Sequence, residues 1–189
     1  EEGRLFIAQP PLFKVKKGRK ERYLKDSQSL DQFLLEQATQ SLEVQLEDGG
    51  TVAGDDLREH FSLIRSFQKR VVSVAGNSAI ELWDAWLGIG GDQVDLTSDD
   101  DFFGAVDAFR TALQELAPTL HVVEVDREGA DLVVRTLQNG EERKVFIRSS
   151  AFESERIQQQ LSELREKLPL PVSIGGTTMH GWLQLYTVG

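Results

Sequence analysis

The stretch LVVRTLQNGEERKVFI, residues 132–147, constrains the fold more than any other part of the chain. Two β-prone runs meet at Asn139-Gly140. Asn-Gly suits a two-residue hairpin turn because both central residues there need positive φ. An antiparallel hairpin at this point excludes a wholly parallel sheet. HVVEV, residues 121–125, reads as a further strand just upstream. Around these strands the apolar spacing changes to a helical period. Residues 55–75 align Leu57, Phe61, Ile64, Val71 and Ala75. Residues 78–87 carry Ile80, Leu82, Trp83, Trp86 and Leu87, and residues 99–116 carry Phe102, Phe103, Val106, Phe109, Leu113 and Leu116 before Pro118. A last helix over 152–168 has Ile157, Leu161, Leu164 and Leu168 as its seam. Ser78 with Glu81 and Ser150 with Glu153 read as capping boxes, and Gly88 as a left-handed helix stop. Helices and antiparallel strands in separate runs predict an α+β fold.

The N-terminal quarter has its own pattern. RLFIAQPP reads as a strand ended by Pro10 and Pro11, which cannot donate to a ladder. Residues 12–25 read as a hairpin turning at KKGRK, with Leu12 competing against Phe13 and Val15 for the inner face. SQSLDQFLLEQA reads as a helix with a Ser29/Gln32 capping box and Leu30, Phe33, Leu34 and Ala38 at helical spacing. SLEVQLEDGG alternates cleanly and ends in an Asp48-Gly49-Gly50 turn. Near the C-terminus PLPVSI reads as extended and GGTTM as a loop, while HGWLQLYTV fits strand or helix.

Charge divides the chain sharply. Residues 1–25 hold eight Lys/Arg and three acidic residues, a net of +5. Residues 26–189 hold the other 13 basic and 28 acidic residues, a net of −15. An acidic body repels nucleic acid wherever its charge faces it. The basic hairpin does the opposite: Lys14, Lys16, Lys17, Arg19, Lys20, Arg22 and Lys25 fall within twelve residues. That density suits phosphate-backbone contact as well as it suits a solvated turn. With no cysteine, disulfides, thiolate metal sites and cysteine nucleophiles are excluded, in keeping with a reducing cytoplasm. No apolar run approaches the roughly 20 residues that span a bilayer, so no membrane partner is expected. The missing initiator Met and the apolar stretches at both ends suggest a piece of a larger protein.

The remaining motifs read as structural. Asp99-Asp100-Asp101 follows Ser98 at a helix start, where carboxylates complement the helix dipole, and is expected to cap rather than bind Mg²⁺. Gly88-Ile89-Gly90-Gly91 follows a helix rather than a strand, which is the wrong context for a dinucleotide loop. Gly175-Gly176-Thr177-Thr178 lacks the lysine of a phosphate loop and reads as a turn. His60, His121 and His180 have no paired-ligand spacing, and no serine sits in a nucleophile elbow. No catalytic residue is expected within the chain.

The segment IAQPPLFKVKKGRKERYLKD, residues 7–26, resembles a stretch of the TOPRIM region of DNA gyrase B subunits. There a Q-P-P-L-[YF]-[KR]-V segment and a lysine-rich turn lead to Y-[IL]-K-D and a helix. The likeness covers roughly residues 3–38, and the related topoisomerase IV subunit shares much of it. The order of elements from residue 55 to 168 is similar to the large insertion that many Gram-negative gyrase B subunits carry within TOPRIM. The resemblance therefore implies partial TOPRIM strands and a helix over 1–38, an acidic insert domain of helices and antiparallel hairpins over 39–176, and a return into TOPRIM over 177–189. It favours helix for residues 178–187. It implies a cytoplasmic, ATP-hydrolysing topoisomerase whose partners are DNA, the gyrase A subunit and the rest of the gyrase B subunit. Lys14, Lys16, Lys17, Arg19 and Lys20 would be its DNA-proximal cations here. The insert would serve as a buttress or spacer. The family's Mg²⁺-binding acids and its Y-K-G-L-G lysine flank the matching region, and its ATP site lies in a distant domain. No cofactor is thus expected in this chain, although Mg²⁺ and ATP serve the full enzyme. The competing reading is a free-standing acidic interaction module with a basic tail.

Overall fold

A computed structural model of the protein describes residues 12–76 and 79–188, without the side chains of residues 17 and 186–188. Strands β1 (Phe13–Lys17) and β2 (Lys20–Leu24) form a two-stranded hairpin, followed by helix α1 (Ser27–Thr39). Strands β3 (Glu43–Leu46) and β4 (Thr51–Ala53) lead into α2 (Gly54–Ala75), α3 (Ile80–Gly88) and α4 (Asp99–Leu116). Strands β5 (His121–Glu128), β6 (Asp131–Gln138) and β7 (Glu141–Ile147) form an antiparallel meander. Helix α5 (Glu155–Lys167), strands β8 (Val172–Ile174) and β9 (Thr177–Met179), and helix α6 (Trp182–Val188) complete the chain. The α+β expectation holds at that level: six helices with antiparallel sheets. The predicted strand over RLFIAQPP and the predicted Ser78 cap lie outside the described residues.

The hairpin turns follow from their residues. Asn139 and Gly140 have φ of 53° and 83°, and Gly175 and Gly176 have 55° and 84°, the double left-handed geometry whose twist matches flanking strands. GGTTM is therefore a turn and a strand rather than a loop. A second tight turn at Gly129-Ala130 extends the upstream strand to Glu128. Strand β8 pairs with β9 on one side and with β3 on the other, so residues 43–53 and 172–179 share one sheet in the order β4-β3-β8-β9. The boundary expected at 176/177 falls within this sheet.

Several caps differ from their sequence signals. Helix α1 starts at Ser27 because Asp26 is the better cap: its Oδ1 accepts the Ser29 amide at 2.7 Å. The hydrogen bonds from Ser29 hold the Asp26 carboxyl below its ordinary value. Helix α5 is capped by Ser154, not Ser150, which lies in a preceding 3-10 turn. Gly88 is the last residue of α3, and the left-handed residue is Gly90 (φ 79°).

Helix α2 is the axis of the core. It buries Leu57, His60, Phe61, Ile64, Phe67 and Val71, and packs on α1, α3, α5, α6 and the β3–β4 hairpin. Trp83 stacks tilted on Phe152 at 5.7 Å, and Trp86 meets Phe109 edge-on at 5.7 Å. Each buried aromatic or Leu/Ile side chain contributes about 1.5–3 kcal/mol, far above a surface ion pair. One ion pair is internal: Arg165 of α5 bonds Asp92, whose side chain is wholly buried in the turn after α3.

The glycine run after α3 is explained by close packing. A Cβ on Gly91 would overlap the Trp86 indole, and one on Gly88 would press on the His180 carbonyl oxygen at 3.2 Å. Gly104, by contrast, sits mid-helix in α4 with nothing near its Cβ position. Gly91→Ala is expected to lower stability by about 1–3 kcal/mol through overpacking. Gly104→Ala should raise it by about 0.5–1 kcal/mol. Urea denaturation midpoints of the two variants should therefore move in opposite directions.

Candidate nucleic-acid interface

The basic cluster is built on β1 and β2, in register with Phe13 opposite Leu24, Lys14 opposite Tyr23, Val15 opposite Arg22, Lys16 opposite Glu21 and Lys17 opposite Lys20. Side chains alternate along each strand, so directly opposed residues share a face. Phe13, Val15, Arg22 and Leu24 lie on the inner face. Leu24 is buried and Phe13 and Val15 are half-buried, which settles the competition against Leu12, left 67% exposed. Arg22 fastens this face to α1: its guanidinium lies 3.7 Å from Glu36 and 5.7 Å from the Phe33 ring centre. Helix α1 is in turn held to α2 by an ion pair between Asp31 and Arg65.

The outer face carries Lys14, Lys16, Glu21 and Tyr23. Lys14 is doubly engaged, 2.8 Å from Glu21 and 5.6 Å above the Tyr23 ring centre. Lys16, Arg19 and Lys20 are exposed and form no ion pair among the described residues. Lys17 ends β1 opposite Lys20. One hairpin thus gathers all five cations singled out from the sequence, but in different electrostatic states. Sequence reasoning passed over Tyr23, 60% exposed among the lysines. Its opposition to Lys14 depends on the register.

The acidic triplet has a structural use. Ser98 caps α4, and Arg127 of β5 bonds Asp99 and the carbonyl oxygens of Leu96 and Ser98. Among the described residues, no group of three or more His, Asp or Glu is arranged to hold a metal ion. His60 is buried on α2, His121 is exposed at the start of β5, and His180 precedes α6; the fold does not bring them into one site.

The polar group that sequence reasoning missed altogether is Asp84. It projects from α3 among Trp83, Ala85 and Trp86, and is 2% exposed. Its oxygens accept the backbone amides of Leu183 at 3.0 Å and Gln184 at 2.9 Å, so it caps α6 from a hundred residues away. Gly181 leaves the carboxylate room, since a Cβ there would overlap it. Trp182 reinforces the joint by donating its indole N–H to the Leu168 carbonyl at 2.9 Å. Burial raises the Asp84 carboxyl to about 6, against the lowering effect of the amides, with Glu81 adding to the rise. An acid held above its unfolded value of 3.8 stabilises the fold fully below that pH and loses the contribution as pH rises through about 6. The difference is at most about 3 kcal/mol. Urea midpoints of the native protein minus those of Asp84→Asn should therefore fall between pH about 4 and 6 and flatten above. A difference constant across that window would contradict the assignment.

Comparison with known proteins gives a partial likeness. Residues 11–38, the hairpin and most of α1, match the family described as "GyrB, hook". Over 78 residues the chain is 36% identical to the DNA gyrase B subunit of Caulobacter vibrioides, covering 41% of this chain and 10% of that protein. Over 45 residues it is 53% identical to the DNA gyrase B subunit of Helicobacter pylori, covering 24% and 6%. Over 35 residues it is 57% identical to the type 2 topoisomerase B subunit of Aquifex aeolicus, covering 18% and 4%. The chain thus matches a tenth or less of the length of these curated relatives. The likeness supports a fragment of a gyrase B subunit.

Proposed function

We propose that this chain forms part of a gyrase B subunit, with the β1–β2 hairpin facing DNA and the acidic body standing off from it. The observation that carries this reading is the coincidence of the hook match with the basic hairpin: residues 11–38 are both the family segment and the cation-rich part of an acidic chain. Lys14, Lys16, Lys17, Arg19 and Lys20 form the DNA-proximal cluster. Each phosphate that such cations neutralise steepens the salt dependence of binding by about 0.9 in log–log slope. The cluster needs no groove to read, because phosphate contacts position a protein without specifying sequence.

The acidic body acts as a buttress between a TOPRIM domain and the A subunit. Its build suits that role. Helix α1 at the entry and helix α6 at the exit both pack on α2, and Asp84 fastens α6 to α3, so both ends are tied to one core. Its surface charge discourages DNA from settling on it. The whole enzyme would sit in the cytoplasm and use ATP and Mg²⁺ to supercoil DNA negatively. Its catalytic motifs have no counterparts among the residues of this sequence.

In the full-length gyrase B protein, changing Lys14, Lys16 and Lys17 together to Glu is expected to weaken duplex binding and lower the salt slope by two or more, at roughly 0.9 per lost phosphate. Unchanged affinity and slope would remove the hairpin from the DNA path. Replacing residues 40–179 by a short linker should cut the supercoiling rate of the assembled gyrase. Supercoiling at the normal rate would rule out the buttress role.

A further inference from the structure

The five cations of the hairpin are not equivalent, and the register explains why. Glu21 is the one acidic side chain within the two strands. It stands directly opposite Lys16, the natural partner for a cross-strand ion pair. Yet its carboxylate is taken by Lys14, diagonally placed on the same face, at 2.8 Å. The Lys14 ammonium is also held over the Tyr23 ring, directly across from it. Lys14 is thereby fixed from two sides and drawn toward Glu21, while Lys16 stays exposed and free of ion pairs among the described residues.

We propose that Lys14 is a positioning residue: it sequesters Glu21 so that Lys16 remains charged and available to a DNA phosphate. Lys16, together with Arg19 at the turn and Lys20 beside it, makes the ionic contact. This inference rests on the reading that the hairpin faces DNA. The physical basis is competition for one carboxylate. Both lysines lie within reach of Glu21, and a lysine already neutralised by a carboxylate releases no condensed counterion when it meets a phosphate. Loss of Lys14 would leave Glu21 unpaired beside Lys16, its directly opposed neighbour, and the pair would close. A lysine that never touches DNA can thus set how many lysines do.

The test is a double-mutant cycle in the full-length gyrase B protein, read as the salt slope of duplex DNA binding by fluorescence anisotropy between about 50 and 200 mM KCl. Lys14→Ala is expected to lower the slope by up to about 0.9, one phosphate contact, and to weaken binding. Glu21→Gln alone should keep the slope at or above that of the unmodified protein. The double variant should match Glu21→Gln, because without Glu21 there is nothing left to sequester. In a Lys16→Ala background, Lys14→Ala should have no further effect. If the double variant stays about 0.9 below Glu21→Gln, Lys14 is itself a phosphate contact and the inference is overturned. It is equally overturned if Lys14→Ala leaves the slope unchanged while Lys16→Ala lowers it. If Lys16→Ala, Arg19→Ala and Lys20→Ala all leave affinity and slope unchanged, the DNA-facing reading itself fails. Rescue by Glu21→Gln also separates the electrostatic effect from damage to the fold, which a neutral change at residue 21 would not repair.

Discussion

Burial of the apolar stripe of α2 is the constraint on which the rest of the structure depends. Phe61, Ile64, Phe67 and Val71 are almost fully enclosed, and no single neighbour encloses them. Five other pieces of the chain must converge on this one helix, from α1 on its N-terminal side of the sequence to α6 at the end. The position of the basic hairpin is inherited from that convergence. The hairpin meets α1 through β2, where Arg22 reaches Glu36, and α1 reaches the core through α2 and the Asp31–Arg65 pair. An isolated two-stranded hairpin is marginal in water, so its orientation depends on this chain of supports.

Electrostatics divide the molecule in a way that the core tolerates. The internal ion pair of Asp92 and Arg165 and the buried Asp84 lie within the acidic body, where each bonds a partner far away in sequence. Such groups are costly to bury and strongly destabilising to unpair, so they specify which elements meet. The hairpin's own charges stay at the surface and remain solvated. Surface pairs of this kind contribute about 0–1 kcal/mol each. Their arrangement therefore tunes interaction with a partner more than it holds the fold.

The parts of the fold legible in sequence are those governed by local geometry. Asn139-Gly140 announces its hairpin because few other dipeptides adopt two positive φ values easily. The stripes of α2 and α4 announce helices because their spacing repeats over many turns. Misreadings occur where two local signals compete. Ser29 has the spacing of a cap, but Asp26 lies three residues upstream and its carboxylate reaches the Ser29 amide. Ser150 loses to Ser154 in the same way. Thr177–Met179 resembles loop because a three-residue strand carries almost no periodicity of its own. Its identity comes from β8 alongside it.

For the candidate site, the sequence by itself determined that a dense group of cations sits in a hairpin at one end of an acidic chain, because composition and turn chemistry are local properties. Only the tertiary structure decided which cation pairs with Glu21, which face carries Tyr23, and that Arg22 is spent on α1. Those outcomes depend on strand register and on what packs beneath. The role of Asp84 is the extreme case. An aspartate amid tryptophans on α3 has no local partner, and its function exists only because the chain returns a hundred residues later to present the free amides of α6.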